Sequence, residues 1–173
     1  ALLGVALGLG KGGGHIVTSQ VEHPSILNPC RQLENLGFNV DLLKVDKLGR
    51  IDLDALEDCL TESTLLLSLQ HANSETGVLQ DIEKIGEIAR KKGVLFHTDA
   101  VQSVGKIQVE VQDAPIDMLS ISAHKLNGPK GVGALYLKRG SPELFSPICG
   151  GGQEKKRRGG TENVAGIAGF GKA

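Results

Sequence analysis

The sequence alternates short apolar segments with amphipathic segments, and this alternation constrains the fold more than any other feature. Residues 65–69 and 94–97 are apolar almost throughout, which is typical of strands buried on both faces of a sheet. Between them, Asp81 caps a predicted helix whose apolar positions, Ile82, Ile85 and Ile88, share one face. We therefore predict an α/β fold with three αβα layers around a mostly parallel sheet.

The same alternation runs along the rest of the chain. We predict further strands at 15–20, 38–45, 117–122 and 132–137, and helices at 1–9, at 24–36 and after Asp52. Residues 8–13 match the pattern G-x-G-x-x-G, but they follow a helix and lead into a strand. A dinucleotide-binding loop needs the reverse order, so we do not interpret this run as a cofactor motif.

Length and composition narrow the class of protein. The 173 residues suit one domain, and 19 Lys and Arg against 20 Asp and Glu give no basic excess for nucleic acid or a membrane surface. Three cysteines without metal-ligand spacing predict neither a disulfide framework nor a metal site, and favour a reducing, cytoplasmic compartment. The apolar residues 1–9 are too short to span a bilayer and lack the charged region of a signal peptide.

Polar side chains follow several of the predicted strands. His23 follows the first strand, Asn73 the third, Asp99 and Gln102 the fourth, and Ser122, His124 and Lys125 the fifth. Ligands bind beyond the carboxyl ends of strands in open α/β sheets, so these side chains predict one site. A lysine there can form a Schiff base with an aldehyde cofactor, and the hydroxyl and imidazole beside it can bind a phosphate. The simpler alternative is a solvated lysine in a turn.

Six motifs occur together in this chain and resemble one family. They are VEH at 21–23, HTDAVQSVGK at 97–106, SAHK at 122–125, GPKGVGALY at 128–136, GGGQE at 150–154 and GTEN at 160–163. In collinear order they resemble the large domain of NifS/IscS-type cysteine desulfurases, which are class-V aminotransferases of pyridoxal-phosphate (PLP) fold type I. Since the chain starts inside an apolar run and stops without a cap, we expect residues 1–173 to be an internal fragment of that domain. The N-terminal segment and the C-terminal small domain would be missing.

The resemblance implies roles for the residues around the cofactor ring. Lys125 would hold pyridoxal phosphate as a Schiff base and shuttle protons, and Asp99 would face the pyridine nitrogen. Gln102 would bind the phenolic oxygen, while His23 would stack on the ring and assist proton transfer. Ring contacts are also implied for the turn at Asn73 and Ser74, where the family usually has two asparagines.

Other implied roles concern the phosphate and the partners. Ser122 and His124 would hold the phosphate, and Thr161 would reach the phosphate of the partner subunit's cofactor, which implies a homodimer. The family acts on L-cysteine, releases L-alanine and passes sulfur as persulfide to an acceptor scaffold protein for iron–sulfur cluster or other sulfur-cofactor assembly. The cysteine that takes the sulfur would lie beyond Ala173, because none of the three cysteines present matches it.

Alternatives remain open at the level of function and of single residues. A selenocysteine lyase uses the same scaffold, and a non-catalytic PLP-binding or dimerisation fragment is an alternative from another class. Asp99 could be a helix or turn cap, His23 a surface residue at a helix N-terminus, and Thr161 a cap of the last helix. The run of four basic residues at 155–158 is usually a solvated face, although an arginine there could bind a substrate carboxylate.

Overall fold

The computed structural model describes residues 1–112 and 114–173, and its centre is a six-stranded sheet. The strands are β1 (His15–Ser19), β2 (Asn39–Leu43), β3 (Thr64–Gln70), β4 (Leu95–Asp99), β5 (Met118–Ser122) and β6 (Gly133–Leu137). Their order is β2-β1-β3-β4-β5-β6; the first five are parallel and β6 is antiparallel to β5. The predicted mostly parallel sheet is confirmed.

Helices lie before, between and after the strands. They are α1 (Leu2–Leu9), α2 (Pro24–Asn35), α3 (Leu53–Cys59), α4 (Ile82–Lys91), α5 (Gln153–Lys156) and α6 (Val164–Lys172), with a 3₁₀ turn at Ala123–Leu126. The predicted caps are confirmed, since Asp52 accepts the backbone N–H groups of Asp54 and Ala55 and Asp81 accepts that of Lys84. Because α1 ends at Leu9 and the chain then enters β1, residues 8–13 do not form a strand–loop–helix nucleotide motif.

Two hydrophobic cores lie on opposite faces of the sheet. Leu67 and Phe96 belong to the core that contains the apolar face of α4, whereas Leu66 and Ile16 belong to the core that contains α1 and α2. Successive strand residues point to opposite faces, so the neighbours Leu66 and Leu67 enter different cores. Helices cover both faces of the sheet, and the predicted three-layer αβα architecture is confirmed.

Strand lengths depend on the pairing partner as well as on local sequence. We predicted a strand at 38–45, but β2 runs from Asn39 to Leu43. This edge strand pairs with β1 over its whole length, from His15 opposite Asn39 to Ser19 opposite Leu43, so β1 sets its length. Among residues 1–112 and 114–173, no helix combines the length and the apolar character needed to cross a bilayer.

The strand register determines which polar residues meet at one edge of the sheet. In the parallel pairs, Gln70 lies opposite Asp99, and Asp99 lies opposite Ser120. The carboxyl ends of β1, β3, β4 and β5 therefore lie at the same edge, as parallel pairing requires. The turns predicted to carry the site begin at this edge.

Candidate functional site

Lys125 lies in the 3₁₀ turn that directly follows β5. The turn is held at both ends, because the Ala123 N–H donates to Val132 O at 3.0 Å and the Gly128 N–H donates to Ala123 O at 2.9 Å. Asn127, with a φ of 59°, takes the left-handed conformation that ends the turn. Ala123 is buried and Lys125 is exposed, so a fixed backbone presents a free amine just beyond the sheet edge.

Ser122 and His124 lie beside this lysine and contact each other. The Oγ atom of Ser122 is 2.7 Å from Nδ1 of His124, and the imidazole is exposed. With Nδ1 engaged by the hydroxyl, Nε2 is the ring nitrogen left free for a ligand. Together with the lysine amine, this pair forms a set of donors suited to an anionic group.

Asp99 is the last residue of β4 and closes the following turn. Its Oδ1 atom accepts the Val101 N–H at 3.0 Å, so the turn-cap alternative is correct as a description of one oxygen. Burial raises the pKa of Asp99, the hydrogen bond from the Val101 N–H acts in the opposite direction, and a positive charge on the nearby His23 imidazole would do the same. A carboxylate that is half-buried in this way favours a cation as its ligand, because a cation restores the stability of its charged form.

His23 caps the N-terminus of α2. Its Nδ1 atom accepts the Ser25 N–H at 3.1 Å and lies 2.8 Å from Ser25 Oγ. The alternative of an exposed residue at a helix N-terminus is therefore confirmed. A neutral ring that accepts at Nδ1 carries its proton on Nε2, so His23 still offers a donor at the edge where Asp99 lies.

Glu22 is a polar residue of this edge to which the sequence analysis assigned no role. Only 5% of it is exposed, and its Oε1 atom accepts the Ser19 hydroxyl at 2.7 Å and the Gln70 N–H at 3.0 Å. Among the described residues, the buried Oε2 atom has no hydrogen-bond partner. Burial, with a smaller contribution from the charge of Asp99, raises the pKa of Glu22 to about 7. The signal available in the sequence was a carboxylate just after a buried strand.

The turn after β3 holds the segment that carries Glu22 and His23. Asn73 Nδ2 donates to Val21 O at 3.1 Å, and Gln70 Nε2 donates to the same oxygen at 2.9 Å. Asn73 Oδ1 accepts the backbone N–H groups of Glu75 and Thr76, both at 2.9 Å. Asn73 thus ties two edge loops together, while Ser74 is exposed and donates to the carboxylate of Glu75 at 3.2 Å.

Gln102 and Thr161 lie in less constrained positions. Gln102 is half-buried, and its Oε1 atom accepts from Lys106 Nζ at 2.8 Å. Thr161 is exposed, and the suggestion that it caps the last helix is wrong, because Asn163 accepts the Gly166 N–H and caps α6. That helix packs through Gly166 and Gly169 against Val132 and Pro129 of the loop after Lys125.

The edge of the sheet at which β1, β3, β4 and β5 end, here called the carboxyl edge, therefore combines four kinds of functional group. It offers a primary amine, a half-buried carboxylate, exposed imidazoles and a hydroxyl, and a second, deeply buried carboxyl lies behind them. An amine can capture an aldehyde, and the donors beside it can hold an anionic group of the same ligand. The structure thus brings Lys125, Ser122, His124, Asp99 and His23 to one edge of the sheet.

Comparison with known proteins identifies relatives along the whole chain. The sequence model described as aminotransferase class-V matches residues 1–173. The cysteine desulfurase IscS of Dictyoglomus turgidum is 51% identical over 173 residues, which cover all of this chain and 44% of that protein. A cysteine desulfurase of Nostoc sp. is 52% identical over 160 residues, which cover 92% of this chain and 40% of that protein. The chain thus spans less than half the length of these curated relatives.

Solved structures share the fold. SspA in complex with cysteine superposes with a TM-score of 0.94 at 42% identity and covers 99% of this chain and 50% of its own. A NifS-like protein superposes with a TM-score of 0.93 at 40% identity and covers 98% of this chain and 47% of its own. Both superpositions cover nearly all of this chain.

Proposed function

Because the chain belongs to the class-V aminotransferase family and resembles its NifS/IscS-type cysteine desulfurases, we propose that residues 1–173 supply the pyridoxal-phosphate-binding region of a cysteine desulfurase. The observation that carries this proposal is the position of Lys125. It is held beyond β5 at the edge where Asp99 ends β4. Similarity to desulfurases at about half identity along the chain supports the choice of reaction within the family.

The side chains at the edge fit pyridoxal phosphate by their chemistry. The Lys125 amine suits the aldehyde, and the Asp99 carboxylate, with its pKa raised by burial, suits a protonated pyridine nitrogen. Ser122 and His124 suit the phosphate, and the Gln102 amide suits the phenolic oxygen. When bound, pyridoxal phosphate supplies an electron sink that stabilises the carbanion formed when the substrate loses a proton.

Each residue then has a task that its own chemistry allows. Lys125 would hold the cofactor through its aldehyde, and its amine would move the α-proton of the substrate. Asp99 keeps a cation paired at the inner side of the site. His23 carries a proton on Nε2 while its Nδ1 atom holds the helix cap, so it can act as a second proton donor. Asn73 holds the loop of His23 in place, and Ser74 extends the same turn toward solvent.

The proposed substrate is L-cysteine and the proposed product is L-alanine. The sulfur leaves the substrate as a persulfide on a nucleophilic cysteine and then passes to an acceptor scaffold protein for iron–sulfur cluster or other sulfur-cofactor assembly. We assign this nucleophile to a residue other than Cys30, Cys59 and Cys149. The proposal includes a homodimer, in which Thr161 reaches the partner subunit's cofactor, and a cytoplasmic location. The cysteine complex of the relative SspA supports the substrate.

Borohydride trapping tests the proposal directly. The protein, as wild type and as Lys125→Ala, would be incubated with pyridoxal phosphate, reduced and mapped by peptide mass spectrometry. Lys130→Ala is the matched control, since Lys130 is another exposed lysine of the same loop. We expect a reduced adduct on Lys125 in wild type and in the control, and none in Lys125→Ala.

A folded wild type without an adduct on Lys125 would overturn the proposal. If the adduct forms, alanine production from L-cysteine, measured in a protein that joins this region to the proposed nucleophilic cysteine, distinguishes a desulfurase from a fragment that only binds the cofactor. Faster turnover of selenocysteine than of cysteine would instead assign the chain to the selenocysteine lyases.

A further inference from the structure

A second cluster of reactive side chains lies at the other end of β1. His15 begins β1, Asp41 lies in β2 and Cys59 ends α3. His15 Nε2 is 3.1 Å from Asp41 Oδ2, and Cys59 Sγ is 3.4 Å from the same oxygen. One ligand atom from each of the three residues lies within 4.8 Å of the other two. An imidazole, a carboxylate and a thiol thus converge on one point.

This cluster is separate from the candidate cofactor site. His15 is the first residue of β1, whereas the carboxyl edge begins after Ser19, the last. Four residues of strand span about 13 Å, so the two ends of β1 serve different regions of the surface. β2 and β1 are also the strands farthest from β5, which leads to Lys125. None of the roles proposed above uses this cluster.

His15 has a hydrogen-bond partner on the ring nitrogen that faces away from the cluster, as metal-binding histidines usually have. Only 6% of the residue is exposed, and its Nδ1 atom lies 2.8 Å from Thr64 Oγ1. The Thr64 hydroxyl also accepts the Thr61 N–H at 2.9 Å, which fixes its position. A hydroxyl can donate to or accept from Nδ1, so Nε2 can present its lone pair to a cation. A hydrogen bond to the second ring nitrogen orients a ligating histidine and strengthens its binding.

We propose that His15, Asp41 and Cys59 form a binding site for a divalent transition metal and that zinc is the ion it fits best. Zinc takes imidazole, carboxylate and thiolate ligands in tetrahedral geometry. Bonds of about 2.0–2.3 Å in that geometry place ligand atoms roughly 3.2–3.8 Å apart. The observed separations of 3.1 and 3.4 Å from Asp41 Oδ2 are near this range, and the imidazole nitrogen and the thiol sulfur lie within 4.8 Å of each other. The thiol proton passes to solvent as the metal binds.

The surroundings allow an ion to enter and leave room for a fourth ligand. The Asp41 side chain is 63% exposed. A cavity of about 450 Å³ lies on the side of Cys59 and Asp52, and one of about 540 Å³ lies on the side of His15 and Glu34, with Asp41 lining both. Three protein ligands with one open position are typical of zinc sites that bind water or a further ligand. The ligands are 26 and 18 residues apart in sequence, so no local spacing motif marks the site.

Cobalt(II) is a suitable probe because it takes the same tetrahedral geometry and absorbs light. The holoenzyme would be titrated with cobalt and difference spectra recorded. We expect a thiolate-to-cobalt charge-transfer band and tetrahedral d–d bands with one equivalent bound at this site, both reversed by zinc. Cys59→Ser should lose the charge-transfer band and bind at least about tenfold more weakly, while Cys149→Ser, which changes an exposed thiol elsewhere, should match wild type.

Two further variants keep the test decisive. Thr64→Val retains all three ligands but releases the imidazole, and it should weaken binding by about 10–100-fold without removing the charge-transfer band. Asp41→Asn changes an exposed residue of the edge strand and should weaken binding even if Cys59→Ser folds poorly. A charge-transfer band that survives in folded Cys59→Ser, or wild-type affinity in Asp41→Asn, would show that the three residues form only a hydrogen-bonded cluster.

Discussion

The Nε2 atom of His97 lies 2.8 Å from the Oγ atom of Ser120, and its Nδ1 atom lies 2.8 Å from Ser68 Oγ. One imidazole in the middle of β4 therefore links β3 on one side to β5 on the other. The ring is fully buried, and burial lowers its pKa to about 3. Since β5 leads directly into the turn of Lys125, this neutral histidine helps to hold in place the strand that positions the candidate site.

His97 makes the fold sensitive to acid. Its pKa is lower in the folded state than in the unfolded chain, so the unfolded state takes up a proton first as the pH falls below about 6.5. Stability contributed by this group is complete above that pH and declines toward pH 3. His97→Leu leaves two serine hydroxyls unpaired and should cost about 2–4 kcal/mol at pH 7, with a smaller deficit at pH 4. Urea unfolding at both pH values measures this, and His124→Gln is the exposed control. An equal loss of unfolding free energy at pH 7 and at pH 4 would contradict this prediction.

Glu22 should act in the opposite direction. Its pKa is raised to about 7, so the folded state holds a proton between about pH 4.5 and 7 that the unfolded chain has released. Stability from this group is therefore present at low pH and is lost as the pH rises through 7. The side chain of Glu22→Gln stays neutral at every pH. The free energy of unfolding of this variant should exceed that of wild type by up to about 3 kcal/mol at pH 8, with little difference at pH 5. Urea titrations test this, with the exposed Glu57→Gln as control. A gain in unfolding free energy that is the same at pH 5 and at pH 8 would show that the ionisation of Glu22 is not its cause.

His23 should show two separable roles. The helix cap depends only on an acceptor for the Ser25 N–H, which asparagine can provide and alanine cannot. His23→Ala should lose about 0.5–2 kcal/mol of unfolding free energy, and His23→Asn should recover most of it. In a protein that joins this region to the proposed nucleophilic cysteine, both variants should form alanine from L-cysteine much more slowly than wild type. If His23→Asn restored activity together with stability, His23 would have only a structural role.

Asp99→Asn separates charge from turn geometry. The amide oxygen can still accept the Val101 N–H, so the turn and the free energy of unfolding should change little. Without the negative charge, the proposed pairing with a protonated ring nitrogen is lost. In a protein that joins this region to the proposed nucleophilic cysteine, turnover of L-cysteine should fall by about a hundredfold or more. The exposed Asp54→Asn serves as control. Activity within a few-fold of wild type would remove Asp99 from the proposed site.

The cysteines should differ in their reactivity toward alkylation. Cys149 is exposed, whereas Cys30 is 2% exposed and burial raises its pKa to about 11. Only about one Cys30 thiol in a thousand is ionised at pH 8, and the thiolate is the reactive form. Iodoacetamide labelling followed by peptide mapping should modify Cys149 first and Cys30 only after unfolding. Early labelling of Cys30 in the folded protein would show that its environment opens.

Features that depend on neighbouring residues in sequence were predicted well. The helix caps at Asp52 and Asp81 were predicted correctly, and strand positions were predicted to within a few residues, because caps and apolar periodicity are local. The grouping of Lys125 with Asp99 at one edge was also predictable, since parallel strands place their carboxyl ends together. The motifs carried the family assignment for the same reason, as they are short runs in a constant order.

Features that depend on burial and on distant contacts were not predictable in this way. Glu22 and His97 look like ordinary titratable residues in the sequence, and only their removal from water shifts their pKa values. His15, Asp41 and Cys59 come from three separate elements, and only the order β2-β1 with α3 packed beside it brings them together. The sequence by itself determined the elements, their order and the lysine at the end of β5. Tertiary packing decided which polar groups are desolvated and which distant side chains meet, because solvation and contact depend on the whole fold.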